Sequence, residues 1–210
     1  MKTLFFGLVL TVVPALGGQA ERHAAPVALY TEFQQPPPAD VLEGIQNELS
    51  AIMTPLGIHL EWRNLADAQG DDPVAELAVV RFKGRCDLFG LTPHSYNPGA
   101  LGWTHVSDGA VLPFTDIDCD GIRRFLQAGL LTIRAEERQN SYGRAVGRVL
   151  AHELYHVFTR TQHHSAHGIA KPAYTVDDLL SAQFRFTEAD GQELRSLQPA
   201  LAIGPPDDQH

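Results

Sequence analysis

The sequence is poor in cysteine and methionine. It contains only two of each among 210 residues, and the two methionines are Met1 and Met53. Two cysteines exclude both a disulfide-rich scaffold and a zinc site built from four thiolates. Cys86 and Cys119 can still pair with each other, and we expect one disulfide if the chain is exported to an oxidising compartment.

Basic residues are also scarce. The chain has 16 Lys and Arg but 25 Asp and Glu, which gives a formal net charge of −9. This balance argues against a nucleic-acid-binding surface, which needs clustered positive charge. The hydrophobic share of 44% and the charged share of 20% are ordinary for a folded chain, so extended disorder is not expected. At this length we expect one domain.

No apolar run is long enough to cross a membrane. The run at residues 4–16 is interrupted by Pro14 and falls short of the roughly 20 residues of a spanning helix. It lies within residues 1–20, which have the features of a secretory signal peptide: a lysine before the apolar run, and the small residues Gly18 and Ala20 after it. We therefore expect cleavage after Ala20 and a secreted or periplasmic protein without a membrane anchor.

The order of predicted elements indicates a single α/β (α+β) domain. Alternating or β-rich apolar segments predict strands, and apolar residues at three- and four-residue spacing predict helices. The strands are expected at 26–33, 58–62, 75–82, 101–106 and 110–114, and the helices at 40–53, 116–131, 141–160, 176–184 and 188–198. Together they predict a mixed, twisted sheet with helices packed on it.

Histidine is the residue type that is concentrated in one place. Five of the ten histidines lie between His152 and His167, and residues 152–156 read His-Glu-x-x-His. A spacing of four places His152 and His156 on one helical face, where both imidazoles can bind the same metal ion. Glu153 lies about 100° around the helix, where it can hold a metal-bound water and accept its proton. The pattern predicts one zinc ion per chain.

This motif resembles that of the zincin metallopeptidases, and among them the metzincins, whose motif is H-E-x-x-H-x-x-G-x-x-H. The sequence departs from that pattern, because Thr159 occupies the glycine position and Gln162 the third-histidine position. No methionine follows the motif, so the family's Met-turn is missing. The resemblance implies a third ligand soon after the helix, and His164 is the preferred candidate. The other candidates are His163, His167 and, as a gluzincin-type ligand, Glu188.

The resemblance extends more loosely over residues 26–170. The segment Gly102-Trp-Thr-His-Val106 and the Ser-Asp-Gly turn after it look like the edge strand that precedes the active helix. In metzincins this strand pairs with an extended substrate. The resemblance implies a metzincin-like catalytic domain at 21–170. We expect a small helical C-terminal subdomain at 171–204 and a disordered tail at 205–210.

Several weaker patterns have two interpretations each. Gly-Arg-Cys-Asp around Cys86 resembles the cysteine switch of matrix metalloproteases, so Cys86 is either a disulfide partner or a zinc-capping thiol. The acidic residues at 116–120 match the opening of a Ca²⁺ loop, but they also suit a helix N-terminus. Tyr174 either packs in the core or stabilises an oxyanion. Trp103 and His105 either line the cleft or face solvent.

Together these features predict a secreted zinc metalloendopeptidase-like hydrolase. His152, His156 and His164 would hold Zn²⁺, and Glu153 would act as general base and then pass the proton to the leaving amine. The expected partner of this monomer is a peptide or protein substrate, with neither nucleic acid nor membrane involved. Two other functions fit the same residues. One is a non-catalytic, zinc-stabilised exported binding domain, and the other is a zinc hydrolase acting on a non-peptide amide.

Overall fold

A five-stranded mixed sheet forms one layer of the protein. The computed structural model describes residues 27–68, 76–97 and 99–196. The strands are β1 (Val27–Phe33), β2 (Leu60–Asn64), β3 (Glu76–Lys83), β4 (Gly102–Ser107) and β5 (Ala110–Asp118). Their order across the sheet is β2-β1-β3-β5-β4. β4 runs antiparallel to β5 at one edge, and the other neighbouring pairs are parallel, which confirms the predicted mixed sheet.

Helices accompany the sheet, which confirms the α/β class. They are α1 (Ala39–Met53), α2 (Cys119–Thr132), α3 (Arg138–Thr159), α4 (Val176–Leu180) and α5 (Glu188–Ser196), with short 3₁₀ turns at Thr54–Leu56, Leu65–Asp67 and Ala135–Glu137. α1 and α3 approach closely because glycines remove side chains at their contact. A Cβ on Gly143 would lie 2.3 Å from the Val41 carbonyl oxygen. In the described ranges, no helix is both long and apolar enough to cross a membrane.

The main core lies between the sheet and the helices. Alternate strand residues such as Leu29 and Val80 are fully buried on this side of the sheet. α3 is the central helix, and all of its residues from Ala145 to Phe158 are buried. Polar side chains on such a helix are costly unless each one finds a partner. The histidines and the glutamate of the motif therefore need partners within the protein.

Strand β5 extends further than the sequence predicts. The predicted helix start at residue 116 is wrong, because β5 continues to Asp118 and α2 begins at Cys119. Residues 114–118 pair in parallel with residues 79–83 of β3, and this pairing overrides the local helical preference. Asp118 then caps α2 by accepting a 2.9 Å hydrogen bond from the backbone N–H of Gly121.

The acidic residues of this segment have protein partners. Asp116 contacts both Lys83 and His105. Asp120, in the first turn of α2, pairs with an arginine three residues further on. The helix-terminus interpretation therefore holds for Asp118 and Asp120. None of these acidic residues belongs to a cluster of three or more candidate metal ligands within the described residues.

The other helices differ from the prediction mainly at their ends. α3 begins at Arg138 rather than at 141, because a 3₁₀ turn leads into it. α4 ends at Leu180 rather than at 184, where Arg148 Nη1 donates to the carbonyl oxygens of Asp178 and Leu179. The predicted signal peptide at 1–20, the tail at 205–210 and the last two residues of the helix predicted at 188–198 lie outside the described residues.

The two cysteines form a disulfide, as predicted. Cys86 and Cys119 are buried, and their Cα atoms are 4.8 Å apart. The bridge joins the segment after β3 to the first residue of α2. The Tyr142 hydroxyl on α3 donates to the Cys119 carbonyl oxygen at 2.7 Å, which connects the bridge to the motif helix. The alternative of a zinc-capping thiol at Cys86 is therefore wrong.

Candidate active site

The two motif histidines lie on one face of α3. His152 and His156 are buried, and their Nε2 atoms are 3.1 Å apart. His152 Nδ1 lies 2.7 Å from the carbonyl oxygen of Ile169, and His156 Nδ1 lies 2.8 Å from that of Thr161. Because a carbonyl oxygen can only accept, both Nδ1 atoms carry the proton and both Nε2 atoms present lone pairs.

The two Nε2 lone pairs fit a shared metal ion. Neither Nε2 atom can donate to the other, so their 3.1 Å separation is not a hydrogen bond and suits two ligands of one cation. With Zn–N bonds of about 2.0–2.1 Å and tetrahedral geometry, two ligand nitrogens lie about 3.3 Å apart. Burial lowers the pKa of His152 to about 4 and also lowers the pKa of His156. Both rings are therefore neutral at neutral pH, which is the form that binds metal.

The third imidazole of the cluster belongs to His164, on the loop after α3. Its ring centroid lies 5.2 Å from that of His152 and 4.8 Å from that of His156. The potential ligand atoms of the three residues all lie within 4.8 Å of one another, so together they could hold a metal ion. The structure therefore brings the preferred candidate to the helical pair. The other candidates, His163, His167 and Glu188, take no part in this cluster.

Strand β4 holds Glu153 beside the histidines. The Glu153 side chain is buried, and its Oε2 accepts a 2.8 Å hydrogen bond from Thr104 Oγ1. Gly102 lies on the same face of β4 and leaves room for the carboxylate, because a Cβ there would lie 3.0 Å from Glu153 Oε1. Burial raises the pKa of Glu153 to about 7, although the bond from Thr104 acts in the opposite direction. The motif alone does not reveal Gly102 and Thr104, but the alternation of the predicted edge strand points to one shared face.

An open cleft of about 560 Å³ lies in front of the cluster. This volume is within the range of ligand-binding pockets. The cleft is lined by α3, by β4 and by the segment 171–174, and its apolar lining includes Leu101, Val106, Phe125 and Val149. Trp103 is part of the lining. His105 is not, because its Nε2 pairs at 2.7 Å with Asp116 Oδ2 in a separate cavity.

Tyr174 lines the cleft next to His152. Its hydroxyl donates to the carbonyl oxygen of Ile169, the same oxygen that accepts from His152 Nδ1. The centroids of the Tyr174 and His152 rings are 5.7 Å apart. Burial raises the pKa of Tyr174 well above its usual value, so the hydroxyl stays protonated at neutral pH. Tyr174 thus supports the His152 ring, while a role in stabilising an oxyanion stays a prediction.

The assembled site combines three features. Three imidazoles converge, a buried carboxylate lies next to them, and a cleft gives access to both. Such an arrangement can bind one metal ion and place a proton acceptor beside it. No protein-family model matches the chain, and no curated protein is significantly similar to it.

Proposed function

We propose that this protein is an exported zinc metallopeptidase. The observation that carries the proposal is the convergence of His152, His156 and His164 beside the buried carboxylate of Glu153, at a cleft. Metal binding alone does not require a buried carboxylate there, whereas hydrolysis needs a base. The disulfide supports export, because such bridges persist in oxidising compartments.

The three imidazoles are the residues that would hold zinc. The carbonyl oxygens of Ile169 and Thr161 fix the tautomers of the two helical rings and so direct both Nε2 atoms to one point. When bound, zinc lowers the pKa of a water molecule and polarises the carbonyl of the bond to be cleaved. Three protein ligands suit a catalytic rather than a structural zinc site, which has four.

Glu153 is the proposed general base. It accepts a proton from the attacking water and passes this proton to the leaving amine. In the metal-free protein, burial raises the pKa of Glu153 to about 7. A zinc ion beside the carboxylate would lower this pKa, so Glu153 would be ionised and able to accept the proton at neutral pH. Thr104 keeps the carboxylate in place through its hydroxyl group.

Strand β4 is the proposed binding edge for an extended peptide. In the described sheet it pairs only with β5, so its other edge offers unpaired backbone N–H and C=O groups. This strand also lines the cleft through Gly102, Trp103 and Thr104. A peptide added as a further strand would therefore pass in front of Glu153. An antiparallel edge strand beside the motif helix is also the feature that supports a metzincin-like fold.

Zinc content and peptide hydrolysis together test the proposal. Purified protein is expected to carry about one zinc per chain. It is also expected to cleave a mixture of fluorescence-quenched peptides of random sequence. Glu153→Gln should retain the zinc and lose the hydrolysis, because the amide keeps the shape of the side chain but cannot accept the proton.

Glu43→Gln is the matched control. Glu43 lies on the exposed side of α1, away from the cleft, and should keep both zinc and hydrolysis. Wild-type protein without bound metal would overturn the proposal. Zinc without hydrolysis of any peptide would overturn the enzymatic part and leave a zinc-stabilised binding domain. Cleavage of simple amides but not of peptides would instead identify a hydrolase of another substrate class.

A further inference from the structure

The loop that carries His164 lacks the features by which the metzincin motif turns out of the helix. Thr159 replaces the glycine, and no methionine follows. His164 is exposed, so burial does not hold it in place. Its neighbour Ser165 is instead tied at two points. The Ser165 N–H donates to the carbonyl oxygen of Ala170 at 2.9 Å, and the Ser165 hydroxyl donates to Asp190 Oδ1 on α5.

Asp190 is a rigid acceptor for the Ser165 hydroxyl. Its residue surface is only 3% exposed. Its Oδ2 accepts from the backbone N–H of Thr187 at 3.1 Å and from the Thr187 hydroxyl at 2.7 Å. The Asp190 N–H donates back to Thr187 Oγ1 at 3.2 Å. These reciprocal bonds have the pattern of a capping box at the start of α5. They hold the Asp190 carboxylate in place independently of its bond with Ser165.

The same face of α5 also contacts the motif helix. Glu193 follows Asp190 by three residues, so the two side chains lie on one face of the helix. Glu193 Oε2 accepts a 2.7 Å hydrogen bond from the Tyr155 hydroxyl. Tyr155 lies inside the histidine motif, and its ring centroid is 5.7 Å from that of His156. α5 therefore contacts both the loop and the helix that supply the imidazoles.

We propose that α5 positions His164 against His152 and His156. The Ser165–Asp190 bond would hold the loop, and the Tyr155–Glu193 bond would hold α5 against α3. This inference rests on the proposed metal site. Ser165 and Asp190 are positioning residues, because neither belongs to the ligand cluster. Outer partners that orient a metal ligand typically change affinity by about 10- to 100-fold when they are removed.

The zinc Kd of Ser165→Ala tests the proposal. It is measured on the full chain by competition with a chromophoric chelator, and we expect zinc binding to weaken by about 10- to 100-fold. Ser196→Ala, at the exposed end of α5, is the matched control and should bind zinc like the wild type. Ser165→Thr keeps the hydroxyl group and should bind zinc with most of the wild-type affinity. Urea unfolding in EDTA shows whether each variant still folds.

A double-mutant cycle separates positioning from simple stabilisation. In a His164→Ala background, Ser165→Ala should not weaken zinc binding further, because the ligand that it positions is gone. An unchanged Kd in Ser165→Ala, or an equal loss with and without His164, would overturn the role of α5. A wild type that binds zinc but cleaves no peptide would refute the proposed enzyme and leave this test valid. A wild type that binds no zinc would overturn both.

Discussion

The two halves of the histidine cluster are built in different ways. His152 and His156 belong to a helix that is buried along most of its length, and regular helical geometry sets their spacing. His164 belongs to a loop, is exposed, and depends on contacts with a helix that follows later in the chain. Helical geometry places the first two imidazoles on one face, and tertiary contacts place the third. Substitutions far from the cluster should therefore disturb the loop half more than the helical half.

The largest difference between the two halves should appear in the stability that zinc binding adds to the protein. At a free zinc concentration of about a thousand times Kd, zinc adds about 4 kcal/mol to the free energy of unfolding. We expect His152→Ala to lose more of this increment than His164→Ala, because the pair that it leaves, His156 and His164, is divided between the helix and the exposed loop. His164→Ala should leave a measurable part of it, because the helical pair remains. Urea unfolding with zinc and with EDTA measures the increment in each variant.

His163→Ala is the control for this experiment. His163 is adjacent to His164 and exposed like it, but lies outside the cluster. It should therefore keep the full increment. If His163→Ala lost as much as His164→Ala, the assignment of the loop ligand would be wrong.

The disulfide should support the framework but not the cluster. In the chain-entropy account, a bridge between residues 33 apart contributes about 3.5 kcal/mol. We expect Cys86→Ala/Cys119→Ala to lower the free energy of unfolding in EDTA by about this amount. The zinc Kd should stay nearly unchanged, because neither cysteine contacts the histidines. A change in Kd of about tenfold or more, as for loss of an outer partner, would show that the helical half depends on the bridge.

Two groups in the helical half should have opposite effects on stability in the metal-free protein. Burial lowers the pKa of His152 from 6.5 to about 4. Between these two pH values the unfolded chain binds one more proton than the folded protein, so stability falls as the pH falls. Burial raises the pKa of Glu153 from 4.5 to about 7, so unfolding releases a proton and stability falls as the pH rises. Each change corresponds to about 3 kcal/mol at most.

Replacing Glu153 should reveal the effect of His152 on the pH dependence of stability. In EDTA, Glu153→Gln should lose about 3 kcal/mol of stability through His152 as the pH falls from 6.5 to 4, and a further amount through His156, whose pKa burial also lowers. The wild type should change less over this range, because Glu153 acts in the opposite direction. Urea unfolding at a series of pH values measures both profiles. Glu43→Gln should reproduce the wild-type profile. Parallel profiles for the wild type and Glu153→Gln would contradict the assigned pKa of the carboxylate.

The helical half of the site could be predicted because it needs only local periodicity. The spacing of His152 and His156 places them on one face of a helix, whatever surrounds it. The loop half could be predicted only as a preference for His164 over its neighbours. What supports the loop is the contact between Ser165 and Asp190, which are 25 residues apart, and no local pattern indicates such a contact.

The features that the sequence did not reveal depend mostly on contacts of the strands with distant segments. The continuation of β5 to Asp118 depends on its parallel register with β3, which competes with a local helical pattern. Likewise, Thr104 meets Glu153 across 49 residues. Alternation shows that Gly102 and Thr104 share one face of a strand, but it does not show which helix that face contacts. The end of β5 and the partner of Glu153 thus both depend on contacts between distant segments.

The junction between the two halves should show the smallest effect. Arg160 leaves α3 with a φ of 53°, in the left-handed region that is unfavourable for residues other than glycine. Its side chain is 75% exposed, and its ion pair with Glu76 at 3.7 Å contributes little. Arg160→Gly should therefore raise the free energy of unfolding in EDTA by about 0.5–1 kcal/mol, since glycine adopts this conformation without strain but gains entropy when unfolded.

The neighbouring position provides the matched comparison for Arg160→Gly. Thr159 is the last residue of α3, and its hydroxyl donates to the carbonyl oxygen of Tyr155 at 2.6 Å. Thr159→Gly should lower the free energy of unfolding by up to about 1 kcal/mol, because glycine is unfavourable within a helix. Opposite signs at adjacent residues would locate the turn at Arg160. If both glycine variants lowered stability, the left-handed turn would cost little, and the tertiary contacts of the loop alone would determine where His164 lies.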